Sequence, residues 1–341
     1  MTLRTAVVGL GSMGSNHVRV WRDVEGAELV AVADADSNIL RRVSEYHGVP
    51  GRATLAELIA RDRPDAVSIA VPTSLHEAAA LEAISAGVHV LVEKPLAPNA
   101  AAARRIAEAA RVAGVIGMVG HIERFNPALV EMRLLLETGE LGEVFSLTGR
   151  RVGPFPPRIK DVGVIHDIAT HDLDLVRFLL REPFASLSAR TSRRVHEQHE
   201  DLVSIIGTTL SGVVLTLEVN WLTPRKQRET LVLGERGMLV ADTVTQDLFL
   251  YRNNWQEGTW LRNVRGVDEG DMTRFALRRA EPLRLELQAF ADAIRAGAEV
   301  EPNLVDGVAA IELADMVLDL SRSVPENVRA RFDQPLPNLK T

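Results

Sequence analysis

Cysteine is absent from the 341 residues. That excludes disulfides, iron–sulfur clusters, cysteine nucleophiles and cysteine-ligated zinc. Positive charge is the scarcer sign: 39 Lys plus Arg stand against 46 Asp plus Glu, a formal net charge of -7. An acidic surface disfavours nucleic acid as a partner, because phosphate contacts need basic residues. It leaves room for a local basic pocket that holds a phosphorylated small molecule. No apolar run is long enough to span a bilayer, so no membrane partner is expected. Met1-Thr2-Leu3-Arg4 runs straight into a strand-like segment, without the charged and apolar regions of a secretory leader. Internal repeats and low-complexity segments are also missing. The expected location is the cytoplasm.

What is present is the balance of an ordinary globular chain, 46% apolar and 25% charged. The length suits two domains. Thr5–Gly9, Glu28–Ala33, Ala66–Val71, Val88–Val92 and Val115–Gly120 are short, nearly continuous apolar runs. They suit strands buried on both faces of a parallel sheet. Helix-like stretches separate them, which implies right-handed crossovers and an α/β, doubly wound sheet. An amphipathic segment, Pro127–Glu137, leads into a glycine junction at Gly139–Gly142, and the texture then changes. Seven strand signals follow from Val144 to Tyr251, interrupted by one helix, Ile165–Leu180, and two helices close the chain. That is an α+β domain on an open, largely antiparallel sheet. The expected division is 1–122 for a Rossmann domain and 123–341 for a substrate-binding and oligomerisation domain, with the terminal helices free to pack back on the first.

Gly9, Gly11 and Gly14 fit G-x-G-x-x-G between a strand and a helix. The first glycine permits a tight turn and the second lets backbone approach a pyrophosphate. The third allows close helix–strand packing, with the helix N-terminus, including Ser12 and Met13, toward the phosphates. Asp34 follows Gly14 by twenty residues at the end of the second strand, where a ribose-binding carboxylate belongs. It accepts from the adenosine 2′-hydroxyl and repels a 2′-phosphate, so the expected cofactor is NAD rather than NADP.

Glu93-Lys94-Pro95 ends a strand at the carboxyl edge of the sheet, the ligand edge of doubly wound folds. Read alone, Lys94 is a strand-end cation. Together, the glycine turn, Asp34, Pro72-Thr73 with His76, and Glu93-Lys94-Pro95 resemble the glucose–fructose oxidoreductase/inositol dehydrogenase (Gfo/Idh/MocA) family, over essentially the whole chain. The resemblance implies that Pro72, Thr73, His76, Glu93 and Lys94 line the cofactor, and that Lys94 meets both cofactor ribose and substrate hydroxyl.

Asp167 and His171, four apart on an expected helix, share one face. A carboxylate beside an imidazole holds its tautomer and raises its basicity, as a general base requires. Unaided, such a pair is more often a helix-stabilising contact. A metal site lacks a third ligand and an HExxH motif, so no metal is expected. The family carries an acid and a histidine at this spacing, which implies that Lys94, Asp167 and His171 are catalytic. The family also places two adjacent glycines before this helix, where Asp161-Val162-Gly163-Val164 holds one.

Three further stretches are similar to nucleotide-sugar members of the family, which oxidise the 3-hydroxyl of UDP-N-acetylglucosamine. These are Gly120–Pro127, Arg150–Arg158 and Asn220–Lys226. The substrate contacts so implied are Arg124, Asn126, Arg150, Arg151, Arg158 and His166, the arginine forks suiting a diphosphate. Phe155 and Trp221 read as core or interface residues. The other readings are an inositol, polyol or free-sugar dehydrogenase and, from a different class, a non-catalytic NAD-binding sensor. An open sheet with one face needing cover points to a homodimer or homotetramer.

Overall fold

The computed structural model describes residues 2–156, 162–257 and 265–322. Apolar, β-branched segments assemble first into a six-stranded sheet whose pairings are all parallel. Its strands are β1 (Leu3–Val8), β2 (Ala27–Ala33), β3 (Gly51–Arg52), β4 (Ala66–Ile69), β5 (His89–Glu93) and β6 (Gly117–Gly120), in the order β3-β2-β1-β4-β5-β6. The order reverses between β1 and β4. A crevice opens at such a switch point, outside the carboxyl ends of the strands.

The crossovers are α1 (Ser12–Trp21), α2 (Ser37–His47), α3 (Leu55–Asp62), α4 (His76–Ser85) and α5 (Ala100–Ala113). Their ends carry local signals. Asp36 caps α2 by accepting from the amides of Asn38 and Ile39, and Asn99 caps α5 through Ala102. Gly48 and Gly114 stop the same two helices in the left-handed conformation that glycine adopts without strain.

The second sheet has eight strands in the order β14-β13-β12-β11-β7-β10-β9-β8. They are β7 (Val144–Val152), β8 (Phe184–Ser192), β9 (Leu202–Thr209), β10 (Val214–Asn220), β11 (Gln227–Gly234), β12 (Gly237–Asp242), β13 (Asp247–Glu257) and β14 (Arg265–Arg274). Every pairing is antiparallel except β7 with β10. One face buries Leu147, Leu215, Leu217, Val219, Val232 and Leu239 against the helices α6 (Pro127–Glu137) and α7 (Thr170–Leu180). The other face stays open. A cross-strand row of Val214, Ser146, Leu233, Met238, Tyr251 and Met272 runs across it.

Two strands lie beyond the sequence expectation. β3 is only two residues long, and β14 has no apolar alternation to reveal it.

The closing helices, α8 (Pro282–Ala296) and α9 (Leu304–Arg322), return to the first sheet. Leu283, Leu287 and Phe290 of α8 share a core with Leu3, Val18 and Trp21, and the Trp21 and Phe290 rings lie 6.5 Å apart. Burying a side chain like Phe290 contributes roughly 1.5–3 kcal/mol. α9 serves both cores: Leu304, Val308 and Ile311 pack with the first sheet, Ala314 and Val317 with the second. The site between the two sheets is thereby held by a shared helix. Among the described residues no helix is long and apolar enough to cross a membrane.

Candidate active site

The glycine turn joins β1 to α1. Gly9 sits at φ +84°, and a Cβ there would lie 2.5 Å from the Val71 amide nitrogen. A Cβ on Gly14 would overlap the Gly9 carbonyl oxygen, so α1 packs directly on the turn. Gly11 differs: nothing lies within 4 Å of its missing Cβ. Its open side, at the uncapped start of α1 with Ser12 and Met13, is the cradle a dinucleotide pyrophosphate needs. Asp34 ends β2 beside it. One carboxylate oxygen accepts from the Leu10 amide at 2.6 Å and the other from the Asp36 amide at 2.8 Å. The acid therefore holds the turn and keeps lone pairs for a ribose hydroxyl. The residues present fit NAD.

Pro72 and Thr73 follow β4, and Thr73 opens a short 3₁₀ turn into α4. His76, the first residue of α4, is buried and ties two strand ends together. Its Nδ1 lies 2.9 Å from the Pro95 carbonyl oxygen and its Nε2 2.9 Å from that of Val71. Burial lowers its pKa despite those carbonyls. A neutral ring has one N–H, so His76 donates to one of these carbonyls and packs beside the other, bracing the segments after β4 and β5.

Glu93 closes β5. It is buried, with Oε1 2.7 Å from His17 Nε2 and Oε2 accepting from the Lys94 amide at 3.2 Å. Burial works to raise its pKa, but the His17 hydrogen bond and the nearby positive charge hold it below the usual value. Lys94, followed by a cis peptide to Pro95, reaches across to the second domain. Its Nζ donates to the Asp167 carbonyl oxygen at 2.7 Å and to Asp167 Oδ1 at 3.0 Å.

This pairing corrects the expected partnership of Asp167 with His171. Residues Ile165–Ala169 form a π-helical turn before α7 begins. The wider turn breaks the i, i+4 stacking of a regular helix. Asp167 anchors Lys94, and no hydrogen bond joins it to His171. The His171 Nδ1 is buried without a partner. Burial first, then the charges of Lys94, Arg151, His121 and Arg228, push the His171 pKa well below the ordinary imidazole value. Both effects favour the neutral ring.

The expected diphosphate forks are largely committed elsewhere. Arg124 is buried and donates twice to Asp174, at 2.8 and 2.6 Å, and also reaches Asp306. Arg151 is buried against Asp172 and Glu123. Arg150 is half exposed and pairs with Glu218 at 3.0 Å. Asn126 caps α6 through the Ala128 amide and donates to the Thr243 carbonyl oxygen. His166 meets Asp315 at 2.9 Å. Arg158 lies outside the described residues. A buried guanidinium with no carboxylate partner carries a large desolvation cost, which is why Arg124 and Arg151 took internal acids. Phe155 and Trp221 pack edge to face at 5.8 Å, with Trp221 buried in the second core.

Three residues outside the expected set complete the electrostatics. Arg228 stands directly opposite Arg151 on adjacent strands and shares Glu123 with it, donating at 2.9 Å. Lys226, just before β11, makes no ion pair among the described residues. The third, His121, follows β6. Arg228 and Lys226 each sit near a strand that was expected, but cross-strand register is what aligns them, and no single-strand pattern shows it.

A dinucleotide turn with its acid, facing a lysine, an aspartate and a neutral histidine across a cleft, defines a two-domain NAD-binding dehydrogenase. Residues 3–121 match the oxidoreductase family with the NAD-binding Rossmann fold, and residues 129–240 match the GFO/IDH/MocA C-terminal domain. The chain belongs to the Gfo/Idh/MocA family of oxidoreductases. Inositol 2-dehydrogenase 1 of Saccharopolyspora erythraea is 33% identical over 331 residues, 93% of this chain and 94% of that protein. Inositol 2-dehydrogenase of Corynebacterium glutamicum is 29% identical, covering 90% of each. Among solved structures, UDP-N-acetylglucosamine 3-dehydrogenase from Acidithiobacillus ferrooxidans superposes with a TM-score of 0.81 at 27% identity. That match covers 93% of this chain and 97% of the other. Levoglucosan dehydrogenase in complex with NADH shares the fold, at a TM-score of 0.81 and 20% identity over 94% and 97% of the two chains.

Proposed function

We propose that the protein oxidises the 3-hydroxyl of UDP-N-acetylglucosamine, or of a related nucleotide sugar, to a ketone with NAD⁺. The observation that carries this reading is a cluster of three cations around two carboxylates, two of the cations, Arg151 and Arg228, facing His171. Arg151, Arg228 and Lys226 share only Glu123 and Asp172. Arg228 is the largest cause of the lowered Lys226 pKa, and burial first, then Arg151, lowers that of Arg228. Crowded cations bind an anion well, because the anion relieves their repulsion. A sugar diphosphate supplies it; a free polyol does not. The 27% identity with a UDP-N-acetylglucosamine 3-dehydrogenase over nearly the whole chain supports the same substrate.

NAD⁺, held by the glycine turn and Asp34, supplies the hydride acceptor. His171 takes the proton of the reacting hydroxyl. Lys94, fixed by Asp167, hydrogen-bonds that oxygen and stabilises the charge growing on it. Arg228 and Lys226 hold the diphosphate. A homodimer or homotetramer formed through the open sheet face, working in the cytoplasm where NAD is supplied, completes the proposal.

A second reading, oxidation of inositol or another free polyol, is favoured by 33% identity with an inositol 2-dehydrogenase. The deciding experiment follows NADH absorbance with UDP-N-acetylglucosamine, UDP-glucose and myo-inositol as substrates. Turnover of the nucleotide sugar, lost by roughly 10²–10⁴-fold in Lys94→Met and His171→Ala, is the expected result. Turnover of myo-inositol alone would overturn the nucleotide-sugar assignment.

A further inference from the structure

A buried hydrogen bond joins the helix of the dinucleotide turn to the strand that presents Lys94. His17 lies on α1, three residues past Gly14, and is fully buried. Its Nε2 is 2.7 Å from Oε1 of Glu93, the last residue of β5. Glu93 is ionised despite its burial, and a carboxylate only accepts, so His17 is the donor. One turn further along α1, Trp21 donates to Ser68 of β4 at 2.8 Å. β4 stands between β1 and β5. The helix is therefore pinned across the sheet, to β4 by Trp21 and to β5 by His17. Replacing both partners of a buried hydrogen bond by apolar groups of the same shape can be nearly neutral for stability. Burial by itself does not account for an imidazole and a carboxylate here.

The same carboxylate holds the root of the lysine. Glu93 Oε2 accepts from the Lys94 amide at 3.2 Å, and it is wedged against β6, where a Cβ on Gly120 would lie 3.0 Å from it. Asp167 holds the far end of Lys94 through two hydrogen bonds from Nζ. A long, flexible side chain is thus fixed at both its root and its head. The start of α1, with Gly11, Ser12 and Met13, forms the cofactor cradle. His17 belongs to that helix, so its bond to Glu93 connects the element facing the cofactor with the residue before the lysine.

We propose that His17 is a positioning residue for hydride transfer. Through Glu93 it fixes the root of Lys94 relative to α1, and so sets the reacting hydroxyl relative to the cofactor that α1 carries. Fully buried, it offers no surface to either molecule. The role rests on the reading of Lys94 as the residue that binds the reacting oxygen. Misplacement of reacting groups by about 1 Å can cost roughly 10²-fold in rate, so the bond acts on the chemical step more than on binding.

The test compares the full chain with His17→Gln, His17→Leu and the double variant His17→Leu/Glu93→Leu. Glutamine reaches about as far as the imidazole Nε2 and keeps a donor. The double variant removes the bond without leaving a buried carboxylate unpaired, and it replaces His17→Leu in both measurements if that protein does not fold. Hydrogen exchange over Glu93–Lys94, followed by mass spectrometry without substrate, should quicken several-fold in His17→Leu and return to the parent rate in His17→Gln. Kinetics use whichever of UDP-N-acetylglucosamine and myo-inositol the parent oxidises. There kcat should fall roughly 10–100-fold in His17→Leu and in the double variant, recover in His17→Gln, and leave both KM values within about threefold. Parental kcat in the double variant, or kcat unchanged while KM rises, overturns the proposal. If neither substrate turns over, exchange decides alone: equal rates in the parent and His17→Leu overturn the anchor. Full activity in Lys94→Met would instead overturn the reading of Lys94, and is told apart by an anchor that exchange still shows.

Discussion

Lys94 Nζ is tied to Asp167 by two hydrogen bonds, one to the backbone carbonyl oxygen and one to the carboxylate, at 2.7 and 3.0 Å. The first sheet thus fixes its cation on an element of the second domain. The carboxylate does two things for the lysine. It opposes the desolvation of a partly buried ammonium, and it limits the rotamers of a long side chain.

Asp167→Asn keeps the backbone contact and the size of the side chain but removes the charge. A charge-assisted hydrogen bond is worth about 1.5–3 kcal/mol. That corresponds to a loss of roughly 10–150-fold in kcat, with the fold intact because the carbonyl bond remains. Steady-state kinetics beside a melting curve check this. A variant as active as the parent would show that Asp167 is a bystander.

Asp34 carries a second prediction. Its two oxygens hold the amides of Leu10 and Asp36, so the residue shapes the turn beside the ribose contact proposed for it. Asp34→Ser should weaken NAD⁺ binding by roughly 10–100-fold, the loss of one to two charge-assisted hydrogen bonds. It should also narrow the gap between NAD⁺ and NADP⁺, since the repulsion of a 2′-phosphate disappears. Titration calorimetry with both cofactors separates the effects. An unchanged NAD⁺-to-NADP⁺ ratio would refute the ribose role and leave only the structural one.

The parts legible in sequence were those whose signal is local. The glycine turn, Asp34 and Glu93-Lys94-Pro95 each lie at a strand end, where periodicity stops and chemistry begins, and the structure brings them to one edge. The eight-stranded sheet was largely legible too, because apolar strand signals for β7 to β13 follow one another closely, several with a turn such as Ser211-Gly212 between them. What stayed hidden depended on relations between distant segments. The π-helical turn at Ile165–Ala169 redirects Asp167, and no residue pattern announces it. Arg124 and Arg151 read as ligand forks because the acids that hold them, Asp174, Asp172 and Glu123, are far off along the chain or on another element. His121 stood within a noted stretch, but only strand register sets it beside Lys94.

The open sheet face gives a third prediction. In its cross-strand row Val214 and Met272 are 47% and 56% exposed, and Ile206 nearby is 59% exposed. Contiguous apolar surface of this kind marks an interface. Two copies meeting face to face through it would bury the row on both sides, in the self-complementary manner of a two-fold contact. Val214→Asp, which leaves the inner face of β10 untouched, should shift the assembly toward monomer in light scattering while the far-ultraviolet circular dichroism stays constant. A parent protein that is already monomeric at micromolar concentration would end this idea.

The last prediction concerns pH and stability. Glu286 on α8 is fully buried, and neither carboxylate oxygen has a partner among the described residues. Burial, and then the negative charge of Glu93, push its pKa well above the carboxylate range. In the folded protein it keeps its proton where the unfolded chain, near the ordinary value of 4.5, has lost it. A group with a raised folded pKa favours the folded state fully below the unfolded value, and that contribution is lost as pH rises toward the folded one. Glu286→Gln is neutral at every pH and close in shape. The variant should therefore melt near the parent temperature at about pH 5 and above it in the alkaline range. Each kcal/mol of difference corresponds to roughly 2–4 °C for domains of 150–250 residues. Melting curves of both proteins across that range decide the matter: a gap that fails to widen with pH would mean that Glu286 is ionised in the fold, with a counter-charge still to be found.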